Sequence, residues 1–143
     1  MSPVSGRVVV CLLVACAALT ACGGVPDPAE TARVRLEALA RFDLGKVKDL
    51  TCSEEQAQID DALALFGSSV LDLGTINERL TVDVSGLKYE QTGASGVEAV
   101  VAVSGVVKIS FQGQSAEETI AGEFPLVKEN GVWKVCTSRR LGQ

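Results

Sequence analysis

VEAVVAVSGVVKISF, Val97 to Phe111, decides the fold. Its odd positions are Val97, Ala99, Val101, Val103, Gly105, Val107, Ile109 and Phe111, so one face stays apolar at a period of two, which is the mark of a β-strand packed on a core. The other face begins with Glu98 and ends with Lys108, Ser110 and Gln112, but carries Val100, Ala102 and Val106 between them. These three form a candidate partner surface. Cover by another loop, or tolerated exposure, would account for them equally well.

The same alternation extends to both sides. Upstream, Leu80, Val82 and Val84 alternate with Thr81, Asp83 and Ser85, and TGASG (Thr92 to Gly96) reads as a turn. Downstream, QGQS turns the chain, Ile120, Phe124 and Leu126 form the next inward set, and the Asn-Gly of ENG (Glu129 to Gly131) is a strong hairpin signal before VWKVCT. Gly86, Gly105 and Gly122 fall inside strands, where bulges or bends that curve a sheet account for them.

Before residue 74 the period is helical. Asp27 is placed to cap a helix, Pro28 suits its first turn, and Glu30 completes a capping box. Ala32, Leu36, Leu39 and Phe42 form its apolar stripe, with Arg33, Arg35, Glu37 and Arg41 on solvated faces. LGKVKDLTC predicts a short helix or turn with Val47 and Leu50 inward. SEEQ (Ser53 to Gln56) repeats the capping-box pattern, and Ile59, Leu63, Phe66 and Val70 continue at helical spacing to near Gly67. Helices first and a meander of strands afterwards predict an α+β fold, with N-terminal helices packed on a curved antiparallel sheet of about four strands.

The N-terminus gives an address. MSPVSGR carries Arg7 and no acid, and an apolar run follows from Val8 to Leu19. That run is about a dozen residues, short of the roughly 20 a spanning helix needs, so it reads as a secretory signal. LTAC, Leu19 to Cys22, resembles the bacterial lipobox. The resemblance implies cleavage after Ala21 and diacylation of Cys22, which becomes the first residue of the mature chain. LVAC, Leu13 to Cys16, also fits, but it sits mid-run, whereas Cys22 stands where the apolar run stops and Gly23-Gly24 begins. An ordinary signal cut after Ala21 is the alternative. Two acyl chains suffice for stable anchoring at the cell membrane, on its extracytoplasmic face. The chain thus divides into a signal peptide (1–21), a lipidated cysteine with a short tether (22–28), and one domain (29–143). The tether reaches roughly 20 Å when extended, which confines the domain to the membrane surface.

Removing residues 1–21, whose one charged side chain is Arg7, takes the formal net charge from −5 to −6 and leaves 122 of 143 residues. An acidic domain without a basic stripe is a poor fit for nucleic acid. The chain has no histidine, so Ser-His and Cys-His nucleophile pairs are excluded and a zinc site is unsupported. The acid pairs Glu54–Glu55, Asp60–Asp61 and Glu117–Glu118 are sequence neighbours, whose side chains diverge on a helix or strand. Asp83 and Asp72 remain as lone bases with nothing specific to recommend them. No glycine cluster follows a strand and opens a helix, so a nucleotide loop is unsupported. The expectation is a non-enzyme without cofactor or metal.

Five cysteines are present. Cys11 and Cys16 leave with the signal and Cys22 is acylated, so Cys52 and Cys136 remain in an oxidising compartment, which favours a disulfide. Two separate buried thiols are the alternative. If Cys136 points toward the helices, alternation sends Lys134 the same way and Trp133 and Val135 to the opposite face. That arrangement requires a bulge near Lys134 or a place at the sheet's open end.

ARVRLEALARFDLGKVKDLTC at the front and GEFPLVKENGVWKVC at the back resemble small secreted or lipid-anchored members of the NTF2-like superfamily. The resemblance implies a cone-shaped cavity between sheet and helices, used by some members for apolar ligands and by others for isomerisation or dehydration. Fold does not settle function. Two readings follow: a non-catalytic binding or interaction module of the envelope, as part of a complex or a homodimer, and a carrier or sensor of a lipophilic small molecule.

Overall fold

The computed structural model of the protein describes residues 24, 26–66 and 78–139. Residues 1–21, expected from the sequence to be a signal segment, and Cys22, Val70 and Asp72 lie outside the described residues. Among the described residues no helix is long and apolar enough to cross a membrane.

Three helices precede four strands: α1 (Pro28–Ala40), α2 (Leu44–Asp49), α3 (Ser53–Phe66), β1 (Leu80–Ser95), β2 (Glu98–Phe111), β3 (Gln114–Glu129) and β4 (Val132–Val135). The strands form one antiparallel sheet in chain order, and the fold is α+β with the helices packed on an open sheet. Two hairpins are closed by two-residue turns with both residues at positive φ, Gln112-Gly113 (50° and 82°) and Asn130-Gly131 (51° and 80°), the geometry that matches strand twist. The first hairpin turns only at Gly96-Val97. TGASG is therefore mostly strand, with a bulge between Gln91 and Gly93 absorbing the irregularity.

The core lies on the odd face of β2, as the alternation predicts, but only in its middle. Ala99, Val101, Val103 and Val107 are buried with Leu87 of β1, Leu126 of β3, Val135 of β4 and Ala32 of α1. Ile109 and Phe111 are 38% and 48% exposed. The reason is length: α1 has 13 residues, about 20 Å, against about 46 Å for the 14 residues of β2. Gly86 and Gly105 sit at a second bulge, between Asp83 and Gly86 of β1, where the two backbones touch. Gly122 lies in unbroken β2–β3 register with open space around it, so it marks no bulge.

Asp27 caps α1 as expected, its Oδ1 accepting from Glu30 N at 2.7 Å. The SEEQ capping box is diverted. The Ser53 amide and hydroxyl donate to Glu129 (2.9–3.2 Å), and Gln56 Nε2 donates to the carbonyls of Lys48 and Thr51, because the α2–α3 corner packs against the end of the sheet. At that corner Thr51 bridges Val135 in parallel, closing the outer edge of β4. Arg35 is half-buried rather than solvated, and its Nε donates to Thr51 Oγ1 at 3.2 Å. Burial lowers its pKa, an effect the nearby Glu55 carboxylate opposes.

Cys52 and Cys136 lie at disulfide distance, with sulfurs 2.09 Å and Cα atoms 5.2 Å apart. They pack with Val127 in a cluster separate from the main core, which instead takes Val135 and, partly buried, Trp133. Cys136 thus faces away from the α1 layer, and the link ties the α2–α3 corner to the β4 end of the sheet. Lys134 needs no bulge, since its Nζ reaches the Asp49 carbonyl at the rim.

Candidate ligand-binding site

Between the second half of α1 and the sheet lies an apolar groove of about 330 Å³. Its roof is Leu36, Leu39 and Phe42, and its floor is Val82, Val84 and Leu87 of β1, Val107 of β2 and Ile120 and Phe124 of β3. The strand alternation puts the floor residues on one face. The bulge at Gly86 keeps it so, because it shifts the inward set of β1 from Val82 and Val84 to Leu87 and Tyr89.

The roof depends on how α1 stops. Phe42 has φ 58°, and the amides of Phe42 and Asp43 donate to the carbonyls of Leu39 (3.0 Å) and Ala38 (2.9 Å), which is a Schellman ending with phenylalanine in the left-handed position usually held by glycine. A bulky residue there costs on the order of 1 kcal/mol or more. The turn carries Phe42 into the groove wall, and Asp43 then caps α2 by accepting from Lys46 N at 3.0 Å. The apolar stripe of α1 predicted Phe42 on this side, but no glycine announced the turn.

Glu37, Arg41 and Asp83 line a hollow that adjoins the groove through the shared Ala40, Val82 and Val84. Arg33 pairs with Glu30 and Glu37, which raises its pKa and lowers that of Glu30. Tyr89, on the floor side of β1, has a buried hydroxyl without a hydrogen-bond partner among the described residues. Burial raises its pKa, and the negative charge of Glu37 adds to this. Asp83 is exposed, and the Ser85 hydroxyl and amide (2.9 Å to Oδ1) hold its carboxyl below the usual range. A carboxyl so placed is a weaker base than an ordinary aspartate.

The acid pairs diverge. Glu54 lies 3.6 Å from Arg139, while Glu55 is buried and accepts from Thr137 Oγ1 (3.1 Å) and from the Ser138 amide. Asp60 pairs with Lys48 and Glu117 with Lys108. Cys52, Glu55 and Cys136 bring three donor atoms within 4.8 Å, but the sulfurs are at bonding distance from each other and Glu55 is held by Thr137 and Ser138. Val100, Ala102 and Val106 lie half-buried on the face opposite the groove. Their cross-strand neighbours there are Pro125, Glu123 and Thr119 on β3 and Gly93, Glu90 and Gly86 on β1, so polar side chains interrupt the stripe.

No known protein-family model matches the chain, and no curated protein matches it.

Proposed function

We propose that the protein is a bacterial envelope lipoprotein of NTF2-like type, anchored through diacylated Cys22 to the extracytoplasmic face of the cell membrane, and that it is a non-catalytic module that binds a lipophilic small molecule. The observation that carries the reading is the groove. Among the described residues its lining offers no charged side chain, and its volume of about 330 Å³ falls at the lower end of small-molecule pockets. An uncharged, compact apolar molecule matches both, and a short tether would hold the groove where such molecules partition. The half-buried stripe of Val100, Ala102 and Val106 offers less, because Glu90 and Glu123 break it.

Two experiments test the two halves of the proposal. A fatty-acid analogue is expected to label the wild-type chain and not Cys22→Ser, which should accumulate as uncleaved precursor. Label on the Ser variant would move the modification elsewhere, Cys16 first. For the groove, Ile120→Glu is informative because Ile120 is 37% exposed at the mouth, so the charge is cheap in stability but faces the ligand. Organic extraction of protein purified from its own envelope should recover an apolar species by mass spectrometry, about tenfold depleted in the variant, since one misplaced charge readily costs about 1.4 kcal/mol of affinity. Equal recovery from both would leave the groove without a role.

A further inference from the structure

The two edges of the sheet are finished differently. β4 is closed by the Thr51–Val135 bridge, but it covers β3 only over Leu126–Glu129, and the uncovered stretch of β3 carries Glu117, Glu118 and Glu123, charges of one sign that would repel a second copy. The β1 edge pairs with β2 alone, and no other backbone partner for it is present among the described residues. A long edge strand left open is a template for another strand.

Between its two bulges β1 is regular from Gly86 to Gln91. Within that run stands Tyr89, with two regular residues on each side from Leu87 to Gln91, and it packs toward the core with its hydroxyl unpartnered. Lys88 and Glu90 flank it on the opposite face, and both are exposed. Their direct neighbours on β2 are Ser104 and Ala102, and neither charge belongs to an ion pair among the described residues. An edge blunted by lysines alone repels its own copy. This edge carries one charge of each sign, placed symmetrically about one residue.

We propose that β1 is a homodimerisation edge: two copies pair antiparallel through Leu87–Gln91 about a two-fold axis at Tyr89, making one continuous eight-stranded sheet. In that register Lys88 stands opposite Glu90 of the partner subunit, twice per dimer, and the two tyrosine rings become cross-strand neighbours. An axis at residue 88 or 90 sets like charges against each other, and so does an in-register parallel pairing. An interface of five strand residues a side is below the size of stable complexes, so the dimer is weak at low concentration. Confinement of both copies to one membrane would strengthen it without any new contact.

Sedimentation equilibrium of the full-length chain in detergent tests the register by charge exchange. Wild type is expected to dimerise in a concentration-dependent manner. Lys88→Glu and Glu90→Lys should each weaken the dimer by about tenfold, because each turns two attractive cross-strand pairs into two repulsive ones. The double variant Lys88→Glu/Glu90→Lys should restore wild-type dimerisation. Both side chains are exposed, so thermal melts of all four proteins should coincide, which separates a lost contact from a lost fold. A wild type that stays monomeric at millimolar concentration overturns the proposal. So do single variants that dimerise like wild type, or a double variant that does not recover.

Discussion

Gly105→Val is expected to prevent stable folding at physiological temperature. Gly105 has φ +138°, in the region that L-residues avoid, and a Cβ added there would stand 2.3 Å from the Gly86 carbonyl oxygen and 3.1 Å from the Gly86 carbonyl carbon and Leu87 Cα. All three obstacles are backbone, so no rotamer change relieves the clash. The strand would have to separate at the bulge, and the pairing of Gly86 with Val106 and of Leu87 with Gly105 would go with it. Backbone strain and lost core packing together should exceed about 4 kcal/mol, a large part of the roughly 5–15 kcal/mol that holds a domain together. Circular dichroism should show a melting temperature lower by more than about 10 °C, or no cooperative transition. Gly122→Ala is the control: nothing lies within 4 Å of its added Cβ, so its melt should stay within about 2 °C of wild type. Matching melts for the Gly105 and Gly122 variants would mean that the two strands do not cross as described.

The second large effect is expected from the paired cysteines. Cys52→Ser/Cys136→Ser removes a link between residues 84 positions apart, and the chain-entropy account gives on the order of 4–5 kcal/mol for so long a loop, reduced by residual structure in the unfolded chain. Both positions are fully buried, so the hydroxyls add a desolvation cost. Chemical denaturation should place the double variant, and wild type in reductant, at similarly lowered midpoints. Intact mass after denaturing alkylation without reductant should show no alkyl group on Cys52 or Cys136. Addition of two would show that the link is absent.

The strands were the most legible part of the sequence, because period-two alternation and turn chemistry are local. Asn130-Gly131 specified its hairpin outright, and so did the Asp27 cap of α1. The elimination that left Cys52 and Cys136 as partners needed no geometry. What sequence could not supply was relative placement. Ile109 and Phe111 continue the apolar face of β2, yet they are uncovered, because the reach of α1 is a tertiary quantity. Ser53 and Gln56 read as a capping box, but Ser53 bonds Glu129 of β3 and Gln56 bonds carbonyls of the α2–α3 corner instead. The groove was expected only through a resemblance, and its roof depends on the left-handed turn at Phe42, for which phenylalanine gives no warning. The direction of Cys136 was likewise open until the β3–β4 register fixed which face Trp133 and Val135 take.

The Cys52–Cys136 link also divides the molecule mechanically. Under tension applied to the ends of the chain, the ring it closes cannot lengthen. The 84-residue separation, about 290 Å of extended chain, stays locked while the links outside give way. α3 and all four strands lie within that ring, and α1 and α2 lie outside it. A pull therefore peels α1 from the sheet before it can unravel a strand. Because α1 roofs the groove and the strands floor it, force would uncover the floor and release whatever the groove held, while the sheet beneath remained ready for the helix to return.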